Sequence, residues 1–138
     1  MDHSELMRAA VAAQKMAYIP YSGYPVGAAV ETEDGSIYTG CNIENAAYSP
    51  TACAERVAIF KAVSEGHRKI ERIAIVAGDN FGYPCGVCRQ VIREFIGDGE
   101  IVVGRGPEEY RVYHMEDLLP HSFGPEDLGH CDHPEVEK

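Results

Sequence analysis

The chain has 138 residues, with 22 Asp and Glu against 12 Lys and Arg, a formal net charge of −10. A chain of this length makes one domain that buries a core without disulfide staples. The acidic balance excludes a nucleic-acid binder, which needs a basic track for phosphates, and a protein adsorbed to an anionic membrane surface. No apolar run approaches the roughly 20 residues of a membrane span. Met1-Asp2-His3-Ser4-Glu5 lacks the basic and apolar regions of a secretory signal, so the expected location is cytoplasmic. In a reducing compartment the five cysteines are expected to be metal ligands, catalytic groups or core residues.

From Ser4 to Tyr18 apolar residues recur at helical spacing, with Ser4 in a capping position. Ile19 to Pro25, with two prolines and a glycine, is a loop. Val26 to Thr32 and Ile37 to Ile43 read as strands around the Asp34-Gly35 turn signal. After a polar loop, Thr51 is expected to cap a second helix that stops at Gly66. Ile70 to Ala77 is apolar and β-branched, a buried strand. A third helix starts near Cys85 and ends at Ile96. Ile101 to Gly104 and Tyr110 to Tyr113 are short strands, and Asp117 to Leu119 is a helical turn. Strand–helix–strand alternation after the hairpin predicts parallel pairing. The expected fold is α/β, a three-layer α/β/α sandwich with a mixed sheet of about five strands.

The charge is uneven. Residues 1–105 carry 13 acidic and 10 basic residues, and residues 106–138 carry nine and two. The expected organisation is one domain over residues 1–128 and a flexible acidic tail over 129–138. The run His130-Cys131-Asp132-His133 in that tail has metal-ligand residue types, but a solvated end is the reading preferred.

Cys85-Gly86-Val87-Cys88 places two thiols three residues apart, on one face of the expected helix. Such a pair alone also fits a redox site. Cys53, near the start of the other long helix, supplies a third thiol, and two helix starts bearing cysteine can converge. Helix N-termini favour thiolates. Three sulfurs without haem or iron–sulfur spacing point to Zn²⁺. Glu55, two residues after Cys53, is positioned to be a proton shuttle beside the metal rather than a ligand; alone it would read as a first-turn glutamate favoured by the helix dipole. Arg56 is a candidate donor to the ligand sulfurs, withdrawing charge from them.

Cys53-Ala54-Glu55 with Pro84-Cys85-Gly86-Val87-Cys88 resembles the zinc nucleoside deaminases. Tyr21-Ser22-Gly23-Tyr24-Pro25-Val26-Gly27-Ala28-Ala29, Gly40-Cys41-Asn42-Ile43-Glu44-Asn45-Ala46, Ala54-Glu55-Arg56-Val57-Ala58, Cys88-Arg89-Gln90-Val91 and Leu118-Leu119-Pro120-His121-Ser122-Phe123-Gly124-Pro125 resemble the small homotetrameric cytidine deaminases, in order from about residue 5 to 128. The resemblance implies hydrolytic deamination of cytidine and 2′-deoxycytidine to the uridines in pyrimidine salvage, with one zinc per subunit. It implies that Asn42 and Glu44 bind ribose, that Tyr24 stands against the base, and that backbone groups near Ala54 and Cys85 hold the intermediate or the base amide. It further implies that Tyr48 and Phe123 reach a neighbouring subunit's site in a homotetramer. Ser49-Pro50 and Gly23 depart from the commoner Gly-Leu and Lys or Asn.

Two other readings are open. One is a deaminase of another aminated pyrimidine, such as blasticidin S. The other is a structural-zinc interaction module in which Cys41 or Cys131 is a fourth ligand, although the surroundings of Cys41 suit a small buried hydrophobe.

Overall fold

A computed structural model describes residues 2–129. Cys131, the His130–His133 run and nearly all of the expected tail lie outside the described residues. The elements run α1 (His3–Gln14), β1 (Val26–Thr32), β2 (Ile37–Cys41), α2 (Ala54–Ser64), β3 (Ile70–Ala77), α3 (Gly86–Ile96), β4 (Glu100–Gly106), β5 (Glu109–Tyr113), α4 (Met115–Leu118) and a closing 3₁₀ turn, Pro125–Leu128. Among the described residues no helix is long and apolar enough to cross a membrane.

The five strands form one mixed sheet in the order β2-β1-β3-β4-β5. The expected parallel pairing holds for β3 with β4, joined by α3. The other pairs are antiparallel: β1 receives β2 through the Asp34-Gly35 turn and β3 on its other edge, and β5 folds back on β4. The central strand β3 is apolar on both faces because both faces are covered, with Ile73 to Ala77 buried throughout.

Successive strand residues alternate between two cores. Ala29, Ala74, Val76 and Val102 face α1 and pack on Leu6, Met7 and Ala10. Ala28, Val30, Ile73, Ile75, Ile101 and Val103 face the opposite layer, against Ala58, Ile59 and Ala62 of α2, Ile92 and Ile96 of α3, and Met115 and Leu118 of α4. This is the expected three-layer sandwich, with α1 alone on one side. Two glycines set the layer spacing. A Cβ on Gly27 would lie 2.1 Å from the Ala10 carbonyl oxygen, so α1 rests directly on β1. A Cβ on Gly40 would lie 2.6 Å from both Ala54 O and Ala58 N, so the first turn of α2 rests directly on β2.

Several expected boundaries are corrected. Asp2, not Ser4, caps α1: its Oδ1 accepts from Glu5 N at 2.8 Å while Asp2 N donates to Glu5 Oε1 at 3.0 Å. Ser4 instead donates to Pro107 O at 2.8 Å, tying α1 to the β4–β5 turn. The helix stops at Gln14, four residues early, in a turn of i→i+3 bonds to Ala13 O and Gln14 O. Cys53, not Thr51, is the N-cap of α2, because the Thr51 hydroxyl is engaged by Asn45 N. β2 ends at Cys41, since Ile43 leaves the ladder to bridge Tyr18 and Ala52. β4 is longer than expected, and α4 begins at Met115 because Asp117 accepts from His114 N.

Candidate active site

Cys53 and Cys85 occupy the N-cap positions of α2 and α3, both in extended backbone and neither making a side-chain cap bond. The first-turn N–H groups of both helices therefore remain available to negative charge. Cys88 enters from the first turn of α3 and is fully buried. The three sulfurs lie within 4.8 Å of one another, and among the described residues no further His, Cys, Asp or Glu donor joins that group. Three donors with a fourth position left open is the ligand pattern of a catalytic rather than a structural zinc, whose Zn–S bonds of about 2.3 Å suit this convergence. Cys41, at the end of β2, is not in the group, which removes it as a fourth ligand.

The local charge is arranged around these sulfurs. A hydrogen bond between Cys88 and Cys53, helped by the Arg56 guanidinium, holds the Cys53 thiol down to about 5. The same bond, together with burial, pushes Cys88 up. Arg56 Nη2 lies 3.5 Å from Cys53 Sγ and donates to Thr51 O at 3.3 Å. The Arg56 Nε is buried without a hydrogen-bond partner, so the guanidinium keeps donor capacity facing a cluster that will carry thiolate charge.

Glu55 lies in the first turn of α2 and is only 4% exposed. Burial, with the neighbouring Cys53 charge, pushes its carboxyl up to about 7. A carboxyl that titrates near neutrality in this position is suited to both taking and giving a proton. Its place follows from Gly40: the turn that carries Ala54 and Glu55 sits on β2 at a distance that no side chain permits.

A second set of residues surrounds the loop from Ile19 to Pro25. Asn42 is nearly buried; its Nδ2 donates to Tyr24 O at 2.9 Å and its Oδ1 accepts from Val26 N at 3.0 Å. Glu44 accepts from the backbone of Tyr21 and Ser22 and from the Ser22 hydroxyl. The strand expected to reach Ile43 has ended at Cys41, so both residues lie on irregular backbone. The Tyr24 ring lies against Gly78 and Gly82, in the loop that leads to Cys85. Tyr48 has a left-handed backbone, with φ of 63°, and stands edge-on to Tyr21. Phe123 lies beside α3, where its carbonyl accepts from Gln90 Nε2 at 2.9 Å. Tyr48 and Phe123 are 72% and 57% exposed.

Residues 1–105 match the model of the cytidine and deoxycytidylate deaminase zinc-binding region. The chain belongs to this deaminase family. Cys53, Cys85 and Cys88, all within the matched region, are its zinc-binding triad. The chain is 48% identical to a cytidine deaminase of Sporosarcina psychrophila, over 95% of this chain and 98% of that one. It is 44% identical to one of Halalkalibacterium halodurans, over 93% and 98%. A crystal structure of cytidine deaminase from Burkholderia pseudomallei superposes with a TM-score of 0.84 at 43% identity, over 89% of this chain and all of that one.

Some residues that shape this deaminase site carry no metal-ligand chemistry of their own. Arg89 Nε donates to Pro84 O at 2.7 Å and its Nη1 to Leu118 O at 2.5 Å, fixing the segment just before Cys85 to α3 and to the end of α4. Arg93 bonds Ser122 Oγ at 2.8 Å and pairs with Glu126, holding the stretch that carries Phe123. Arg89 stands in the Cys88-Arg89-Gln90-Val91 motif, whereas the only sequence signal for Arg93 is an arginine two helical turns after a cysteine N-cap.

Proposed function

We propose that this protein hydrolyses cytidine and 2′-deoxycytidine to uridine and 2′-deoxyuridine with release of ammonia. The observation that carries the reading is the buried Glu55, with its carboxyl near neutrality, beside three converging cysteine sulfurs. Zn²⁺ held by Cys53, Cys85 and Cys88 supplies Lewis acidity that makes a water molecule a nucleophile near pH 7. Glu55 takes the proton of the attacking water, as the non-ligand glutamate of zinc deaminases does generally. It passes that proton to the pyrimidine ring nitrogen next to the amine-bearing carbon. It then takes the proton of the hydroxyl now on that carbon and delivers it to the departing amine, so that the carbon–oxygen double bond forms as the carbon–nitrogen bond breaks and ammonia leaves. Arg56 donates to Cys53 and offsets the anionic excess of three thiolates.

The sugar side of the reading rests on hydrogen-bond bookkeeping. Asn42 uses one of its two N–H donors on Tyr24 O and keeps the other. Glu44 has accepted three bonds and retains acceptor capacity on Oε2. A sugar hydroxyl needs one donor and one acceptor, which these two residues still offer. Tyr24 bounds the base, and the N–H groups at Ala54 and Cys85 stabilise charge at the reacting ring.

We also propose a homotetramer in which Tyr48 and Phe123 of neighbouring copies complete each site. Two large exposed rings, and an exposed Cys85 at the metal centre, support it. Light scattering is expected to give four times 15.1 kDa, and a monomeric mass at working concentration would refute it. The test of the activity is an ultraviolet-absorbance assay of zinc-loaded protein with cytidine, 2′-deoxycytidine and blasticidin S. The first two are expected to be deaminated. No turnover of either would overturn the proposal, and turnover of blasticidin S alone would transfer it to that class of substrate.

A further inference from the structure

Ser22 has no part in the chemistry above, yet it joins two of the residues that do. It lies in the loop after α1 and is exposed. Its hydroxyl donates to Glu44 Oε2 and at the same time accepts from Tyr24 N at 3.0 Å. Its own N–H donates to the other carboxylate oxygen, Glu44 Oε1, at 3.1 Å, beside the N–H of Tyr21 at 3.0 Å. Glu44 is thus gripped at both oxygens by a segment 22 residues earlier in the chain. The same loop is held from its other end by Asn42, through Tyr24 O and Val26 N.

The physical consequence is orientation. An exposed glutamate on a free loop samples several rotamers, and each contact that holds it must first offset that entropy. Two backbone donors fix Oε1, but rotation about the terminal bond still moves Oε2. The Ser22 hydroxyl removes that freedom and leaves Oε2 one acceptor direction. It also favours the charged form, holding the Glu44 carboxyl below its ordinary value. The bond faces a cleft of about 420 Å³ lined by Tyr21, Ser22, Glu44, Asn45, Tyr48 and Thr51.

We propose that Ser22 is a positioning residue for nucleoside recognition: it aims the Glu44 carboxylate at a sugar hydroxyl and locks it to the backbone of Tyr24, so that the sugar and base contacts form as one unit. This rests on the reading that Glu44 accepts from the sugar. The role demands a group that donates and accepts together. Alanine does neither, whereas threonine does both.

The test is steady-state kinetics of the zinc-loaded wild type, Ser22→Ala, Ser22→Thr and Glu44→Ala. The substrates are cytidine and 2′,3′-dideoxycytidine, which lacks the two ring hydroxyls. Loss of one charge-assisted hydrogen bond corresponds to roughly tenfold. Ser22→Ala is expected to raise KM for cytidine about tenfold, with kcat within about twofold. KM for the dideoxynucleoside should stay within about twofold, and Ser22→Thr should restore cytidine KM. Glu44→Ala should show the same discrimination, larger. If Glu44→Ala discriminates and Ser22→Ala affects both substrates equally, or neither, the inference is overturned while the Glu44 reading stands. If Glu44→Ala does not discriminate, that reading fails and takes the inference with it.

Discussion

The sulfur end of the site and the loop end are built by different means. Cys53, Glu55, Cys85 and Cys88 hang from two helix starts pressed onto the sheet, and backbone spacing decides where they lie. Tyr24, Asn42 and Glu44 sit on irregular segments outside the strands and helices, and individual side-chain hydrogen bonds decide where they lie. The reacting end is determined by core packing, where a displacement of a few tenths of an ångström meets hard contacts. The loop end is determined by replaceable polar bonds. On the proposed function, chemistry is thereby rigid while substrate preference is adjustable, since an exchanged hydrogen bond in the loop leaves the metal centre untouched.

Each substitution below either breaks one end or sharpens the contrast. Cys88→Ala removes a buried ligand, and both zinc content and turnover are expected to vanish, measured by metal analysis and the absorbance assay. Retention of stoichiometric zinc would show the triad to be misassigned. Gly40→Val drives a side chain into Ala54 O and Ala58 N. A denaturant midpoint reporting roughly 3 kcal/mol or more of lost stability is expected, with activity lost in the same preparation. A neutral result would show that α2 is not held by this approach.

Glu55→Gln has an effect on stability as well as on rate. In the zinc-free chain the folded carboxyl keeps its proton to about pH 7, against an ordinary value of 4.5. The fold therefore binds a proton that the unfolded chain has lost, and its stability declines as pH rises through that window. Zinc-free Glu55→Gln should match the wild type below pH 4.5 and exceed it above pH 7, by at most ~3 kcal/mol. Equal stability at both ends would show that burial does not perturb this carboxyl. Asn42→Ala is the smallest, about 1–2 kcal/mol of stability from the partners stranded at Val26 N and Tyr24 O. It should raise cytidine KM while zinc content stays unchanged; loss of zinc would join the two ends.

The same contrast explains what could be read from the amino acids alone. Cysteine spacing, the Asp34-Gly35 turn and the β-branched run at Ile70 to Ala77 are local patterns, and they led to the triad, the hairpin and the central strand. Gly40 was unreadable because its importance lies in a helix that arrives fourteen residues later. Ser4 looked like a cap because the competing Asp2–Glu5 pair lies just outside the apolar period. Thr51 failed as a cap for a similar reason, its hydroxyl being taken by Asn45. The reading of Ile37 to Ile43 as one strand assumed that period-two geometry continued past Cys41, where the chain instead leaves the sheet. Ser22, a serine in a loop of prolines, tyrosines and a glycine, acquires meaning only when the fold brings Glu44 to it.

The central claim is that Glu55 moves the proton while the three cysteines hold the metal. Zinc content and cytidine turnover of wild type and Glu55→Gln, measured on the same preparations at neutral pH, test it directly. The account predicts equal zinc in both proteins and a fall in kcat of about 10²-fold to 10⁴-fold in the variant. Full zinc with a rate close to that of the wild type would contradict it.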